Sequence, residues 1–277
     1  MSVTHIGDFQ NIISVYLINK RVLIDPGTYS IAEDVLHAIK SNHVHFDDIR
    51  YIILTHLHLD HSGNTWYMLK HIPNAKVIIS SKGAKYLIDP TQLIASSRSV
   101  LGSIVDRWGE VRAIESEKII GIDDNYTLDI DGSSIRFIET PGHAPYHFSA
   151  LLDDVLFTGD AVGIKVKDRL RPASPLPSFR LDLALQSIKK IKGLRVKRLY
   201  TPHFGIVDDV DNFLDENILV YKRWEEIIKQ GLNDGKDEQE ILTLINKEFG
   251  YDELLKDEFI SMLLRSDLRG FIKYLKK

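Results

Sequence analysis

His56, His58, Asp60 and His61 stand close together in the run Thr55-His56-Leu57-His58-Leu59-Asp60-His61-Ser62-Gly63. Imidazole and carboxylate are the ligands that zinc or another divalent transition metal takes when thiolate is not on offer. The chain has no cysteine, which excludes disulfides, thiolate ligands and a cysteine nucleophile together. On a helix these four side chains would scatter around the axis, whereas a turn leaving a buried strand can send several of them into one pocket. The offsets would arise by chance in roughly one chain in several hundred. Three later positions extend the pattern: His143 in Pro141-Gly142-His143, Asp160 in Thr158-Gly159-Asp160 and His203 in Pro202-His203-Phe204-Gly205. Each follows an apolar run and adjoins Gly or Pro, which lets the backbone turn sharply at a strand end.

The elements that must deliver these residues are legible from periodicity. Ile12 to Ile18 and Arg21 to Ile24 are β-branched runs separated by Asn19-Lys20, a predicted hairpin, and Asp25-Pro26-Gly27 stops its second strand. Ile31 to Lys40 carries Val35, Leu36 and Ile39 at helical spacing, and the strand Tyr51 to Leu54 leads into the histidine run. A helix at Thr65 to His71, a strand at Lys76 to Ser80 and a helix from near Ser81 repeat the alternation. Thr91 to Glu110, Ser-rich and ending near an exposed-looking Trp108-Gly109, reads as a helical or irregular insertion at a rim. Strands are predicted at Tyr126 to Ile130, Ser134 to Glu139, His147 to Leu152 and Val155 to Thr158, with tight turns at Asp131-Gly132 and Asp153-Asp154. Lys165 to Ser178 is a loop by composition, Asp182 to Lys192 an amphipathic helix, and Arg198 to Thr201 a strand. From about Asp211 the chain reads as helical: Leu214, Ile218, Tyr221 and Ile228 form one stripe, Asp237 and Glu240 a capping box, Gly250 a stop, and Leu254 to Leu275 the last one or two helices.

With 277 residues, 44% of them hydrophobic, the chain can bury a full core, as one large domain or one domain with an appendage. A net charge of -4 gives no field that draws nucleic acid or an anionic membrane. Met1 to Asp25 lacks the basic start and unbroken apolar stretch of a signal peptide, and no run is long enough to span a bilayer, so a cytoplasmic location is expected.

In its His-x-His-x-Asp-His run and its later single His, Asp and His, in this order, the chain resembles the metallo-β-lactamase superfamily, over about residues 1 to 207. The resemblance implies an α/β fold, the αββα sandwich: two mixed sheets face to face, helices on both outer surfaces, and the site at one edge. It implies a catalytic domain at 1–207 and a helical C-terminal extension at 208–277, packed on or near the active-site side. By the same resemblance His56, His58 and His143 bind one metal, Asp60, His61 and His203 a second, and Asp160 bridges them. Two divalent ions are expected, zinc first, with iron or manganese as substitutes.

Such a pair activates a water as hydroxide for attack on an acyl bond. Asp60 is the expected catalytic residue, orienting that hydroxide and receiving a proton. A thioester of a small-molecule substrate, in the manner of the glyoxalase II-like branch, is the first expectation and a lactone the next. A different class, persulfide oxidation at a single iron, would use His56, His143 and Asp160, and a non-catalytic metal-binding role is the remaining alternative. Nuclease action is disfavoured by the acidic charge. His147 is a candidate hydrogen-bond support near His143, Tyr146 a candidate pocket wall or oxyanion donor, and Arg169 and Arg171 candidates for a substrate carboxylate or phosphate. His5, His37, His43, His45 and His71 read as solvated surface. Apolar stripes in the C-terminal helices fit a core or a homodimer interface.

Overall fold

The computed structural model describes residues 2–10 and 13–276. Ile12 and Met1, where the first predicted strand and the reading of the N-terminus begin, lie outside the described residues. The strands in chain order are β1 (Val3–Phe9), β2 (Ile13–Ile18), β3 (Val22–Ile24), β4 (Tyr51–Ile53), β5 (Lys76–Ser80), β6 (Ile119–Ile122), β7 (Thr127–Ile130), β8 (Ser133–Glu139), β9 (Phe148–Leu152), β10 (Val155–Phe157), β11 (Ile164–Val166), β12 (Arg169–Arg171), β13 (Arg198–Tyr200) and β14 (Ile206–Val207). They form a six-stranded sheet of order β1-β2-β3-β4-β5-β6, a second of order β14-β13-β10-β9-β8-β7, and a hairpin of β11 and β12.

The chain divides into two compact units. A sheet unit comprises the residues up to Glu139, Tyr146–Gly159 and Leu199–Ile206. A helical unit comprises Thr140–Pro145, Asp160–Arg198 and the residues from Val207 onward. The helices after residue 207 therefore share a unit with two segments that precede them in sequence.

In the sheet unit, β2 and β3 form the predicted hairpin, antiparallel, with Asn19 and Lys20 at φ 49° and 59°. Two adjacent left-handed residues give the turn whose twist matches that of the strands. The pairs β3 with β4, β4 with β5 and β5 with β6 are parallel, so each needs a crossover, supplied by helices such as α1 (Ala32–Ser41) and, after β4, α2 (Leu59–Ser62) and α3 (Thr65–His71). Parallel strands buried on both faces read as unbroken apolar runs, and Val77, Ile78 and Ile79 have no measurable exposure. Alternate residues part to opposite faces. Leu17, Leu23, Ile52, Val77 and Ile79 pack with Val35, Leu36 and Ile39 of α1 and Trp66 and Met68 of α3. Tyr16, Ile18, Ile24, Ile53 and Ile78 pack instead with Ile135, Phe137, Phe148, Leu152 and Phe157 of the second sheet. Strands β1, β6 and β14 lie outside the predicted set. The half-buried, polar β1 lacks the apolar alternation that marks a strand.

After β5 a hydrogen-bonded turn delays the next helix, expected near Ser81, to α4 (Lys85–Ile88). The rim insertion folds as α5 (Thr91–Leu101) and α6 (Ile104–Trp108), with Trp108 half-buried.

The helical unit holds α7 (Leu181–Gly193), α8 (Val210–Asn233), α9 (Glu238–Phe249), α10 (Asp252–Leu255) and α11 (Glu258–Leu275). Its aromatic core joins Tyr221 and Trp224 of α8, Phe271 of α11 and Phe179; the Phe179 and Phe271 rings lie 4.9 Å apart and those of Trp224 and Phe271 5.8 Å. Asp237 caps α9 in a reciprocal box with Glu240, and Gly250 ends it in the left-handed conformation. The predicted loop Lys165 to Ser178 is corrected in its first half. Ile164, Val166 and Leu170 are buried while Lys165 is exposed, so β11 and β12 pair as a hairpin turning at Lys167, φ 55°. The lysines and arginines masked a period of two. No helix among the described residues is long and apolar enough to cross a membrane.

Candidate metal centre

Each candidate ligand of the sheet unit sits where a strand lets go of the chain. After β4 the backbone bends at Thr55 and His56, then enters the single helical turn α2, with the His58 carbonyl accepting from the amides of His61 and Ser62 at 2.9 Å each. Leu57 and Leu59 point into the protein, which holds the intervening polar residues in one place. His56 and His61 are 0% and 1% exposed, whereas Asp60 keeps 25% of its side chain accessible. His203 is brought in from the turn between β13 and β14. Ile13 bridges to it in antiparallel fashion, the Ser14 amide donates to the Pro202 carbonyl at 2.8 Å, and the Tyr16 hydroxyl donates to the Thr201 carbonyl at 2.7 Å. Burial pushes the Tyr16 phenol well above its usual range, so it stays a neutral donor.

His56 Nε2 and His58 Nδ1 lie 3.0 Å apart. Asp60 Oδ2 lies 3.8 Å from His61 Nε2 and 3.6 Å from His203 Nε2, and ligand atoms of these three residues fall within 4.8 Å of one another. In the helical unit, His143 Nε2 lies 3.3 Å from Asp160 Oδ2, both residues 5% exposed or less. Tetrahedral zinc with bonds near 2.0–2.1 Å separates its nitrogen ligands by about 3.3 Å. The donor chemistry and these spacings both suit a divalent ion. Thus the sheet unit gathers five of the seven predicted ligands and the helical unit pairs the other two.

Sequence reasoning missed what orients the imidazoles of the sheet unit. Asp25, 2% exposed, accepts from the Thr55 amide at 2.8 Å, the Thr55 hydroxyl at 2.7 Å and His61 Nδ1 at 3.0 Å. Because the Thr55 hydroxyl donates to Asp25, its oxygen accepts from His56 Nδ1 at 3.1 Å. One carboxylate therefore turns both Nε2 atoms outward, the arrangement metal-bound histidines need. Asp25 had registered only as the stop of a strand; the available signal was an acidic residue at the end of a fully buried one, here at φ 43°.

The lesser candidates separate. The His147 ring is 1% exposed and 5.0 Å from that of His56. A side chain at Gly159 would meet His147 Nε2 at 2.5 Å and Thr55 Cβ at 2.7 Å, and φ there is 51°, so only glycine fits. Tyr146 is half-buried and stacks on Tyr86 with ring centres 6.1 Å apart. Arg169 is exposed. Arg171 is 4% exposed and ion-paired with Asp267, which commits its guanidinium to a carboxylate of its own unit rather than to a substrate.

A profile described as the metallo-beta-lactamase superfamily matches residues 9–203. The chain belongs to the metallo-beta-lactamase superfamily. It is 32% identical over 207 residues to the metallo-beta-lactamase fold-containing protein ST1585 of Sulfurisphaera tokodaii, covering 72% of this chain and 76% of that one. The solved structure of ST1585 superposes with a TM-score of 0.71, at 27% identity, over 98% of both chains. The superfamily's αββα sandwich, with a helical C-terminal extension, is therefore the fold of this chain. A hydroxyacylglutathione hydrolase of Prochlorococcus marinus is 27% identical over 79% of this chain and 76% of its own length. An atrochrysone carboxyl ACP thioesterase of Aspergillus fumigatus is 25% identical over 93% and 70%. Membership, with the His/Asp clusters, makes this a metal-binding chain of a superfamily of metal-dependent hydrolases.

Proposed function

We propose that the protein hydrolyses an acyl bond of a small-molecule substrate, a thioester first and a lactone second, with two divalent ions, zinc before iron or manganese. His56, His58 and His143 would hold one, Asp60, His61 and His203 the other, and Asp160 would serve both. The observation that carries this reading is the convergence of Asp60, His61 and His203 within 4.8 Å, from segments far apart in sequence. The names of two relatives, a hydroxyacylglutathione hydrolase and an acyl-carrier thioesterase, support the thioester.

When bound, divalent ions supply Lewis-acid polarisation of a carbonyl oxygen and a water acidic enough to act as a nucleophile near neutral pH. The protein's own residues do the rest. His61, bonded to Asp25, and His56, linked to the same carboxylate through the Thr55 hydroxyl, are buried and keep the donor set rigid. Asp60, a quarter exposed, is the carboxylate that a substrate can approach and that can take a proton from the attacking water. A departing thiolate is weakly basic and needs little protonation, so the thioester reaction places little demand on a general acid.

The test is protein reconstituted separately with zinc, manganese and iron, assayed for thiol release from S-acyl glutathione and simple thioesters and for lactone opening. Asp60→Ala is expected to keep the fold and lower kcat by about 10²–10⁴-fold. Unchanged kcat in Asp60→Ala removes the role assigned to that residue. One iron per chain with oxygen uptake on a persulfide, or no turnover across the whole panel, overturns the hydrolase.

A further inference from the structure

We infer that Tyr221, Asp267 and Asn217, on helices that follow every candidate ligand in sequence, are positioning residues for the ligands His143 and Asp160. The inference rests on the reading of those two residues as metal ligands. The chain of contacts starts at His143, whose Nδ1–H donates to the Ala173 carbonyl at 3.0 Å and so leaves Nε2 facing Asp160. Where Ala173 sits thus decides where the imidazole points.

The C-terminal helices hold the backbone at Ala173. Its amide donates to the Tyr221 hydroxyl of α8 at 2.9 Å. The next amide, of Ser174, donates to Asp267 Oδ1 of α11 at 2.8 Å, while the other Asp267 oxygen pairs with Arg171. Tyr251 donates to the Leu170 carbonyl at 2.5 Å. On the Asp160 side, the Gly163 amide donates to Asn217 of α8. Ala173, Ser174, Tyr221, Asn217 and Asp267 are all 2% exposed or less. Helix α11 reaches this loop only because residue 270 is glycine: a Cβ there would lie 1.8 Å from the Ser174 carbonyl oxygen.

Packing alone does not account for the arrangement. A buried ion pair is a poor source of stability, since apolar residues of similar volume usually do as well or better. What the polar set supplies is direction, because it fixes the peptide planes from Leu170 to Ser174, and the Ala173 carbonyl is the one that receives a metal-site imidazole. Partners of this kind typically change metal affinity by about 10–100-fold when removed.

The experiment is zinc affinity by chelator competition on the full chain, comparing unmodified protein with Tyr221→Phe, Asp267→Asn and His143→Ala. Tyr221→Phe keeps the ring and removes only the hydroxyl, so it decides the matter should Asp267→Asn fail to fold. A folded variant that is merely less stable binds zinc with unmodified affinity, because the dissociation constant refers to the native state. Expected is about a tenfold loss in Tyr221→Phe, with far-UV circular dichroism unchanged, and a larger loss in His143→Ala. Affinity within twofold of unmodified in Tyr221→Phe, beside a clear loss in His143→Ala, overturns the positioning role and leaves the ligand reading standing. Unchanged affinity in His143→Ala overturns the ligand reading itself.

Discussion

The two units hold their candidate ligands by different means. In the sheet unit, His56 and His58 follow β4 directly, Asp60 and His61 lie in the helical turn α2, and Asp25 at the end of β3 orients two of the rings. In the helical unit, Asp160 lies three residues before Gly163, whose amide Asn217 of α8 accepts, and His143 donates to the carbonyl of Ala173, on a separate segment whose amides are held by side chains from α8 and α11. Support from strand ends comes with the scaffold, since forming the sheet already places them, the end of β3 with Asp25 included. Support from far along the chain depends on a few directional bonds, and losing one changes the site before it changes the fold.

A large effect that sharpens this contrast lies in the core between the two sheets. Ile78 is fully buried there, and Ile78→Ala is expected to cost about 2–5 kcal/mol of stability through lost transfer energy and an unfilled cavity. Strand ends held by backbone ladders should still place the donors, so zinc affinity of the folded variant should stay within a few-fold of unmodified. Denaturant unfolding of the metal-free protein and chelator competition read the two quantities separately. A tenfold affinity loss would mean that the sheet unit too depends on fine packing.

Next comes Asp25→Ala, which removes the shared acceptor of Thr55 and His61. The buried donors it abandons each cost about 1–3 kcal/mol, and zinc affinity should fall about 10–100-fold as both rings lose their orientation. Retained affinity would show that α2 alone aims the histidines.

What could be read in the sequence follows the same division. The hairpin at Asn19-Lys20, the strands around Phe137 and Phe148 and the capping box at Asp237 each express a rule confined to a few residues, and the structure has them where expected. The candidate ligands could be picked out because metal chemistry restricts residue type and strand ends restrict place. Asp25 was hidden because an aspartate before Pro-Gly reads equally well as a turn. Arg171 invited a substrate role because no local pattern discloses that Asp267 is its partner. The β11–β12 hairpin was obscured by charged residues on its exposed face, where composition says loop and only the burial of Ile164, Val166 and Leu170 says strand.

The smallest predicted effect separates directed contacts from general tightness in the helical unit. Helix α9 begins with the Asp237 box, in which the carboxylate accepts from the Glu240 amide at 2.8 Å and Glu240 accepts from the Asp237 amide at 2.9 Å. Asp237→Ala should cost about 1 kcal/mol, the usual worth of an N-cap. The bonds described to Gly163, Ala173 and Ser174 come from α8 and α11 and not from α9. Zinc affinity should therefore not move in Asp237→Ala, although its stability loss is similar in size to that of removing one buried hydroxyl hydrogen bond. If affinity falls as far in Asp237→Ala as in Tyr221→Phe, the stiffness of the whole helical unit sets His143 and Asp160, and no single peptide contact does.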